Sequence, residues 1–179
     1  YWMHNNMITI EGKKMGKSLG NFITLPELFS GTHKALHQAY TPMTVRFFIL
    51  QAHYRGTLDF SNEALQAAEK GLKRVMQAGK DLRTLAGAAG ITSAPALAYG
   101  EFVSAVAPAE IAASNAEVRA LAEGVYEALC DDLNTPIALS HIFDAVRIIN
   151  LAKDRKLTLD ASDWKVLVEL FDNIVYGVL

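Results

Sequence analysis

Cysteine is almost absent from this chain, which has a single one, Cys130, among 179 residues. One cysteine cannot form an internal disulfide, and Cys130 has no Cys or His neighbour at metal-ligand spacing. Long apolar runs are lacking too: no stretch reaches the ~18 residues that a membrane-spanning helix needs. The overall composition excludes intrinsic disorder, because 51% of the residues are hydrophobic and only 20% are charged.

The chain length predicts about one domain, with enough residues to bury a real core. The sequence starts at Tyr1 without an initiator methionine and stops on the apolar pair Val178-Leu179. From these two ends we expect the chain to be a piece of a longer protein.

Charge is distributed unevenly along the sequence. Residues 1–80 carry a net charge of +5, whereas residues 81–179 carry −7. Such polarity can orient a polyanion at one end of a molecule. Two solvated helix faces would give the same count, so charge alone leaves both interpretations open.

The first sixty residues predict a strand, a loop and two short helices. Met7 to Ile10 follows the turn residues Asn5-Asn6 and is typical of a short strand. Residues 11–21 contain three glycines and three lysines without an apolar period, which predicts neither strand nor helix. Helix starts are indicated by Thr24, with Glu27 three residues later as in a capping box, and by Thr41-Pro42.

The remainder predicts an antiparallel helical bundle, and so a mainly α fold. Ser61 is expected to cap a helix with a long apolar stripe, and Ser114 to Glu117 resembles a capping box. Thr135-Pro136 marks another helix start, and Ser162 and Gly177 suggest the two ends of the last helix. The stripe has heptad-like spacing and consists of Leu65, Ala68, Leu72, Val75, Gly79 and Leu82. Residues 87–113, rich in Ala, Gly, Ser and Pro, predict a long connection with a short helix around Phe102.

The chemistry of the chain is expected in the loop Lys14-Met15-Gly16-Lys17-Ser18. Its ammonium groups are compact charges on flexible stems, and its glycine lets backbone N–H groups approach an anion. Such a loop can meet phosphate charge as it develops in a transition state. An exposed lysine-rich turn has the same composition, so the five residues alone do not decide.

The flanking residues add a resemblance. The loop resembles the Lys-Met-Ser-Lys-Ser signature of class I aminoacyl-tRNA synthetases, and its continuation Leu19-Gly20-Asn21-Phe22 strengthens the match. The wider context resembles the cysteinyl-tRNA synthetase family, in the family's order and over most of the chain. The segments that carry this resemblance are Tyr1–His4 as an approach strand, Thr44–Phe48, His53–Arg55, Leu58–Ser61 and Asp131–Pro136.

The resemblance implies a fold in two parts. Residues 1–57 would be the end of a Rossmann-type catalytic domain, with a short strand, the signature loop and small helices. Residues 58–179 would be a tRNA-facing helical bundle of the DALR type. The family's first ATP motif, its zinc site and its Rossmann sheet would lie upstream of Tyr1, and a small anticodon-reading segment would follow Leu179.

The resemblance also implies an activity and its residues. A cysteine–tRNA ligase activates cysteine with ATP, used with magnesium, and transfers it to tRNA(Cys). Lys17 and Lys14 would be the catalytic residues, and Lys14, Met15, Gly16, Lys17 and Ser18 together would bind ATP. Zinc is expected in the full-length protein with no ligand in this chain, and the protein would be a cytoplasmic monomer without a membrane partner. The chain alone would be inactive.

The tRNA contacts are expected on one charged helix, although a soluble helix needs exposed charges in any case. The candidates for phosphate contact are Lys70, Lys73, Arg74, Lys80 and Arg83.

Two departures from the family pattern concern the site. Gly16 replaces the consensus serine, which should be tolerable if the backbone contacts phosphate, and should loosen the loop. Thr41-Pro42 replaces the family's Asp-Ala before the next helix, and both pairs suit a helix start.

Other functions and features stay open at this point. A cysteine ligase of mycothiol synthesis and a non-catalytic tRNA-binding module are the alternatives. His33 and His37 have metal-binding spacing but no third ligand, and Asp131-Asp132 is interpreted as favourable charge before a helix. His53 is interpreted as a hinge or an RNA contact, and Trp2 and Trp164 as packing residues, with an adenine pocket as the lesser alternative for Trp2.

Overall fold

The structure is a computed structural model that describes residues 2–92 and 111–178. These residues form two compact units, Tyr1–Lys73 and Arg74–Leu179. The domain boundary expected between residues 57 and 58 stays a prediction, and the short helix expected around Phe102 lies outside the described residues. No helix of the described ranges is long and apolar enough to cross a membrane.

The first unit contains a three-stranded sheet with the order β2-β1-β3. Strands β1 (Ile8–Ile10) and β2 (Lys13–Lys14) form an antiparallel hairpin, and β3 (Leu58–Phe60) pairs with β1 in parallel. The strand expected after Asn5-Asn6 is therefore confirmed. The approach strand expected at Tyr1–His4 is wrong for residues 2–4, which lie outside any strand.

Short helices of the first unit begin where the local signals predict. Helix α1 (Leu25–Ser30) begins after Thr24, which forms a capping box with Glu27, and ends at Gly31 in the left-handed conformation (φ 71°). Helix α2 (Pro42–Leu50) begins after Thr41, whose side chain accepts a hydrogen bond from the N–H of Thr44. Both starts depend on contacts within four residues, which explains why they can be predicted locally.

Apolar side chains fix these elements against the sheet. The Phe48 ring of α2 meets the Phe60 ring of β3 edge to face, with centroids 4.9 Å apart. Such aromatic pairs add to the stabilisation that burial provides. The buried side chains of this core include Leu28, Tyr40, Val45, Phe47 and Leu65.

The long helix α3 covers Asn62–Ala88. Ser61 accepts a hydrogen bond from the N–H of Ala64, so the predicted cap is confirmed. The predicted stripe is buried along the helix except at Leu72, which is half-buried. The structure thus confirms the heptad-like spacing as a core-facing pattern.

Among the described residues, the second unit contains the end of α3, three further helices and a π-helical turn. They are α4 (Ala116–Cys130), α5 (Thr135–Lys153), α6 (Ala161–Leu170) and the turn Phe171–Val175. Helices α4 and α5 pack closely at Gly124, where an added Cβ would lie 2.5 Å from Nε2 of His141. The mainly α, bundle-type fold is confirmed.

Two predicted caps in the second unit are wrong. Asn115, not Ser114, caps α4, and its side chain accepts hydrogen bonds from the N–H groups of Glu117 and Val118. Asp160, not Ser162, caps α6, in a capping box with Asp163. Helix α6 also gives way to the π-helical turn after Leu170, before the stop expected at Gly177.

Candidate functional site

A tight hairpin brings the signature loop back to the start of β1. Glu11 and Gly12 both have positive φ (50° and 74°), which is the turn chemistry of a two-residue hairpin. Strand β2 follows at once, and the N–H of Met15 donates to the carbonyl of Ile8. The loop therefore leaves the sheet at the end where β1 begins.

Asp59 of β3 anchors the hairpin from the other side of the sheet. One carboxylate oxygen of Asp59 accepts hydrogen bonds from the Thr9 hydroxyl at 2.5 Å and from the Gly12 N–H at 2.8 Å. These bonds, that from Thr9 first, hold the pKa of Asp59 below its usual range. The turn that precedes the loop is thus fixed by a charge-assisted contact.

The loop itself is ordered, which corrects the expectation of an irregular segment. Lys13-Lys14 is strand β2, and Lys17–Leu19 forms a 3-10 turn. The N–H of Leu19 donates to the carbonyl of Gly16, and the N–H of Gly20 donates to that of Lys17. A two-residue strand has no alternating pattern, so the sequence carried no signal for it.

Asn21 closes this loop across its base. The side-chain amide of Asn21 donates from Nδ2 to the carbonyl of Lys14 at 3.0 Å. Its Oδ1 accepts from the N–H of Gly16 at 2.9 Å. In the sequence, Asn21 stands out only as part of the extended motif; the signal for its role is that an amide can donate and accept at once.

Two lysines project from the ordered loop. Lys14 and Lys17 are exposed, and Nζ of Lys17 lies 5.4 Å from the centroid of the Phe22 ring, within cation–π range. Met15 is half-buried, whereas Ser18 is exposed. Chemically, the loop offers two ammonium groups to an anionic ligand.

Gly16 is not required by the backbone conformation. Its φ of −164° is extended, and an added Cβ would lie no closer than 3.7 Å to Leu19. The space and the conformation both suit the consensus serine. The Gly16 N–H, expected to contact phosphate, donates to Asn21 in this structure.

The five basic residues expected to contact tRNA are all exposed on α3. Nζ of Lys73 pairs with Glu69 at 2.8 Å, and Arg83 pairs with Asp172 at 3.3 Å while lying over the Tyr176 ring. Lys70 and Lys73 belong to the first compact unit, whereas Arg74, Lys80 and Arg83 belong to the second. The helix presents all five to solvent.

The structure also shows where the remaining histidine, tryptophan and aspartate candidates lie. His33 and His37 lie in turns after α1, not on a helix, and the described ranges contain no cluster of three potential metal ligands. Trp164 is buried, as predicted, but the packing role of Trp2 is wrong, because 91% of its surface is exposed. Asp132 lies in the tight connection between α4 and α5 with a positive φ of 55°.

His53 belongs to a stack before β3 in which the His53 and Tyr54 rings are half-buried and Arg55 is exposed. The His53 and Tyr54 rings have centroids 4.8 Å apart, and the Arg55 guanidinium lies over the Tyr54 ring. The N–H of Asn6 donates to the carbonyl of Tyr54, which fixes this turn beside the sheet. The alternatives of a hinge and an RNA contact both remain predictions.

Comparison with known proteins agrees with this arrangement. A family model for the class I (C) tRNA synthetase catalytic domain matches residues 1–70, and a DALR domain model matches residues 124–176. The first match covers the sheet and the signature loop, and the second covers helices of the bundle. Together they define a class I aminoacyl-tRNA synthetase chain.

Curated relatives indicate the family within the class I aminoacyl-tRNA synthetases. The chain is 52% identical over 179 residues to the cysteine–tRNA ligases of Parabacteroides distasonis and Bacteroides fragilis, and 47% identical to that of Porphyromonas gingivalis. It therefore belongs to the cysteine–tRNA ligase family. Each alignment includes all of this chain but 32% of the relative, so the chain spans about a third of the length of these relatives.

Proposed function

We propose that this chain works within a longer cysteine–tRNA ligase, where it supplies the ATP loop and a tRNA-facing helical bundle. The observation that carries the proposal is the ordered lysine loop between β2 and α1, in a chain about 50% identical to such ligases. "Full-length ligase" below means a protein of the relatives' length that carries this chain.

The proposed reaction has two steps. The carboxylate of cysteine attacks the α-phosphorus of ATP, and pyrophosphate leaves with the electron pair of the broken P–O bond. A ribose hydroxyl at the 3′ end of tRNA(Cys) then attacks the carbonyl carbon of the adenylate, gives up its proton, and AMP leaves. Magnesium would accompany ATP.

Lys17 is the proposed electrostatic catalyst of the first step. Negative charge grows on the leaving pyrophosphate, and an ammonium group that meets it there lowers the barrier more than it stabilises the ground state. Lys14 adds a second positive charge from the end of β2. Met15 anchors the loop by packing, while Gly16 and Ser18 shape the contact with phosphate.

The bundle is proposed to face tRNA(Cys) through the exposed basic residues Lys70, Lys73, Arg74, Lys80 and Arg83 on α3. Lysine and arginine bind phosphates by releasing counterions, so these contacts would weaken with salt. Zinc, expected from the family resemblance, would be held by residues outside this chain. We also propose a cytoplasmic monomer.

The decisive experiment replaces Lys17 in the full-length ligase. Lys17→Ala should lower cysteine-dependent ATP–pyrophosphate exchange about 100- to 1,000-fold, the usual effect of removing one transition-state donor. Lys34→Ala is the matched control, because Lys34 is also exposed in the first unit but lies in a turn after α1.

Each rival function predicts a different result. Unchanged exchange in Lys17→Ala, with weaker tRNA binding, would contradict the catalytic role and favour a non-catalytic module. Transfer of cysteine to an amino sugar rather than to tRNA would identify a ligase of the mycothiol type. The relatives reported above are tRNA ligases, which favours tRNA as the acceptor.

A further inference from the structure

The Asn21 side chain occupies the place of a neighbouring strand. In an extended segment, the carbonyl of one residue and the N–H of the second residue after it point to the same side. Lys14 and Gly16 stand in this relation, and Asn21 satisfies both groups with one amide, at 3.0 Å and 2.9 Å. The side chain thus pairs with the outer edge of this segment, on the side away from β1, as the backbone of another strand would.

This contact holds the backbone next to both lysines of the loop. Lys14 is the first residue of the segment that Asn21 holds, and Lys17 follows that segment immediately. The 3-10 turn that carries Lys17 is itself hydrogen-bonded to the Gly16 carbonyl through the N–H of Leu19. Fixing the Gly16 peptide therefore fixes the direction from which the Lys17 side chain starts.

We infer that Asn21 is a positioning residue for the phosphate-binding lysines: its amide orders Lys14–Gly16 before ATP arrives. The inference rests on the proposed function, because it concerns how the loop presents Lys14 and Lys17 to ATP. Asn21 itself need not touch the nucleotide.

The order of the loop matters because of its glycines. Gly16 and Gly20 lie within the loop, and an unrestrained glycine has more conformational freedom to lose than any other residue. Without Asn21, that loss would accompany the approach to the transition state, where the lysine contacts strengthen. Removing Asn21 should therefore act on kcat and leave substrate affinity nearly unchanged.

The test is Asn21→Ala in the full-length ligase. ATP–pyrophosphate exchange should show a kcat about tenfold to a hundredfold lower, as expected for the loss of two hydrogen bonds. The KM for cysteine should not change, and the KM for ATP should stay within about twofold. A purely structural defect would instead lower the melting temperature and the amount of active protein.

Amide hydrogen exchange gives a readout that does not depend on activity. A peptide containing Gly16 should exchange faster in Asn21→Ala, because the Gly16 N–H loses its acceptor. Asn150→Ala is the matched control, since Asn150 is an exposed asparagine on α5. That variant should keep the wild-type kcat and the wild-type exchange at Gly16.

Two results would overturn the inference. One is a raised KM for ATP with an unchanged kcat, and the other is unchanged hydrogen exchange at Gly16. The Lys17→Ala variant separates this failure from failure of the proposed function. Normal pyrophosphate exchange in Lys17→Ala would contradict the function, whereas a defect in Lys17→Ala alone would contradict only the role of Asn21.

Discussion

At the scale of single residues, the signature loop depends on side chains that are not lysines. Asp59 holds the hairpin turn, and Asn21 holds the loop base. The motif made Lys14 and Lys17 predictable as charged groups. The role of Asp59 was not predictable, because its partner Thr9 lies 50 residues away in sequence.

Gly16→Ser is predicted to be neutral in this loop. The extended φ of −164° suits any residue, and an added Cβ meets Leu19 at an ordinary distance of 3.7 Å. The full-length ligase with this change should keep the wild-type melting temperature. Its rate of ATP–pyrophosphate exchange should stay within about twofold of the wild-type rate. A clearly lower melting temperature or exchange rate would contradict this prediction.

At the scale of elements, the caps of α1 and α2 were predictable from the sequence, whereas the cap of α4 was not, because the residue expected to cap it has distant partners. Thr24 and Thr41 cap their helices with contacts inside the next four residues. Ser114 was expected to cap α4 in the same way. Its hydroxyl instead donates to Asp160 at the start of α6, at 2.5 Å, and its N–H donates to the Ser162 hydroxyl.

The junction between the starts of α4 and α6 should make stability depend on pH. Hydrogen bonds from Ser114, then Ser162, lower the pKa of Asp160 to about 2, below the value of 3.8 for the unconstrained group. The contribution of Asp160 is therefore present above about pH 4 and is lost as the pH falls from about 4 towards 2.

Asp160→Asn tests this dependence. Its melting temperature should lie below that of the wild type at pH 6, and the gap should close as the pH is lowered from 4 to 2. Thermal unfolding followed by circular dichroism across that range measures the gap. A difference that stays constant with pH would contradict the assigned ionisation.

At the scale of the whole chain, the uneven charge agrees with the proposed division of labour. The basic first part carries the lysine loop, and the acidic second part is mostly helical bundle. The periodic apolar pattern predicted the fold class correctly, and the core-facing stripe of α3 is its clearest example. Composition could not predict the exposure of Trp2, because a large aromatic residue is usually buried.

The 179-residue chain alone is predicted to form no cysteinyl-adenylate. It spans about a third of its relatives, and its loop supplies positive charge without the cysteine site that the family resemblance implies. ATP–pyrophosphate exchange with cysteine should stay at background for the purified chain, while the full-length ligase should be active under the same conditions. Exchange above background by the chain would contradict this prediction.

The pairing of β1 with two partners has a consequence for how the loop forms. The contact of β1 with β2 closes over a two-residue turn, whereas the contact with β3 must close a segment of about fifty residues. Hairpins form within microseconds, but a two-stranded hairpin alone is barely stable in water. The hairpin that carries the loop therefore depends on a strand distant in the sequence, and the bond from Thr9 to Asp59 ties it to that strand.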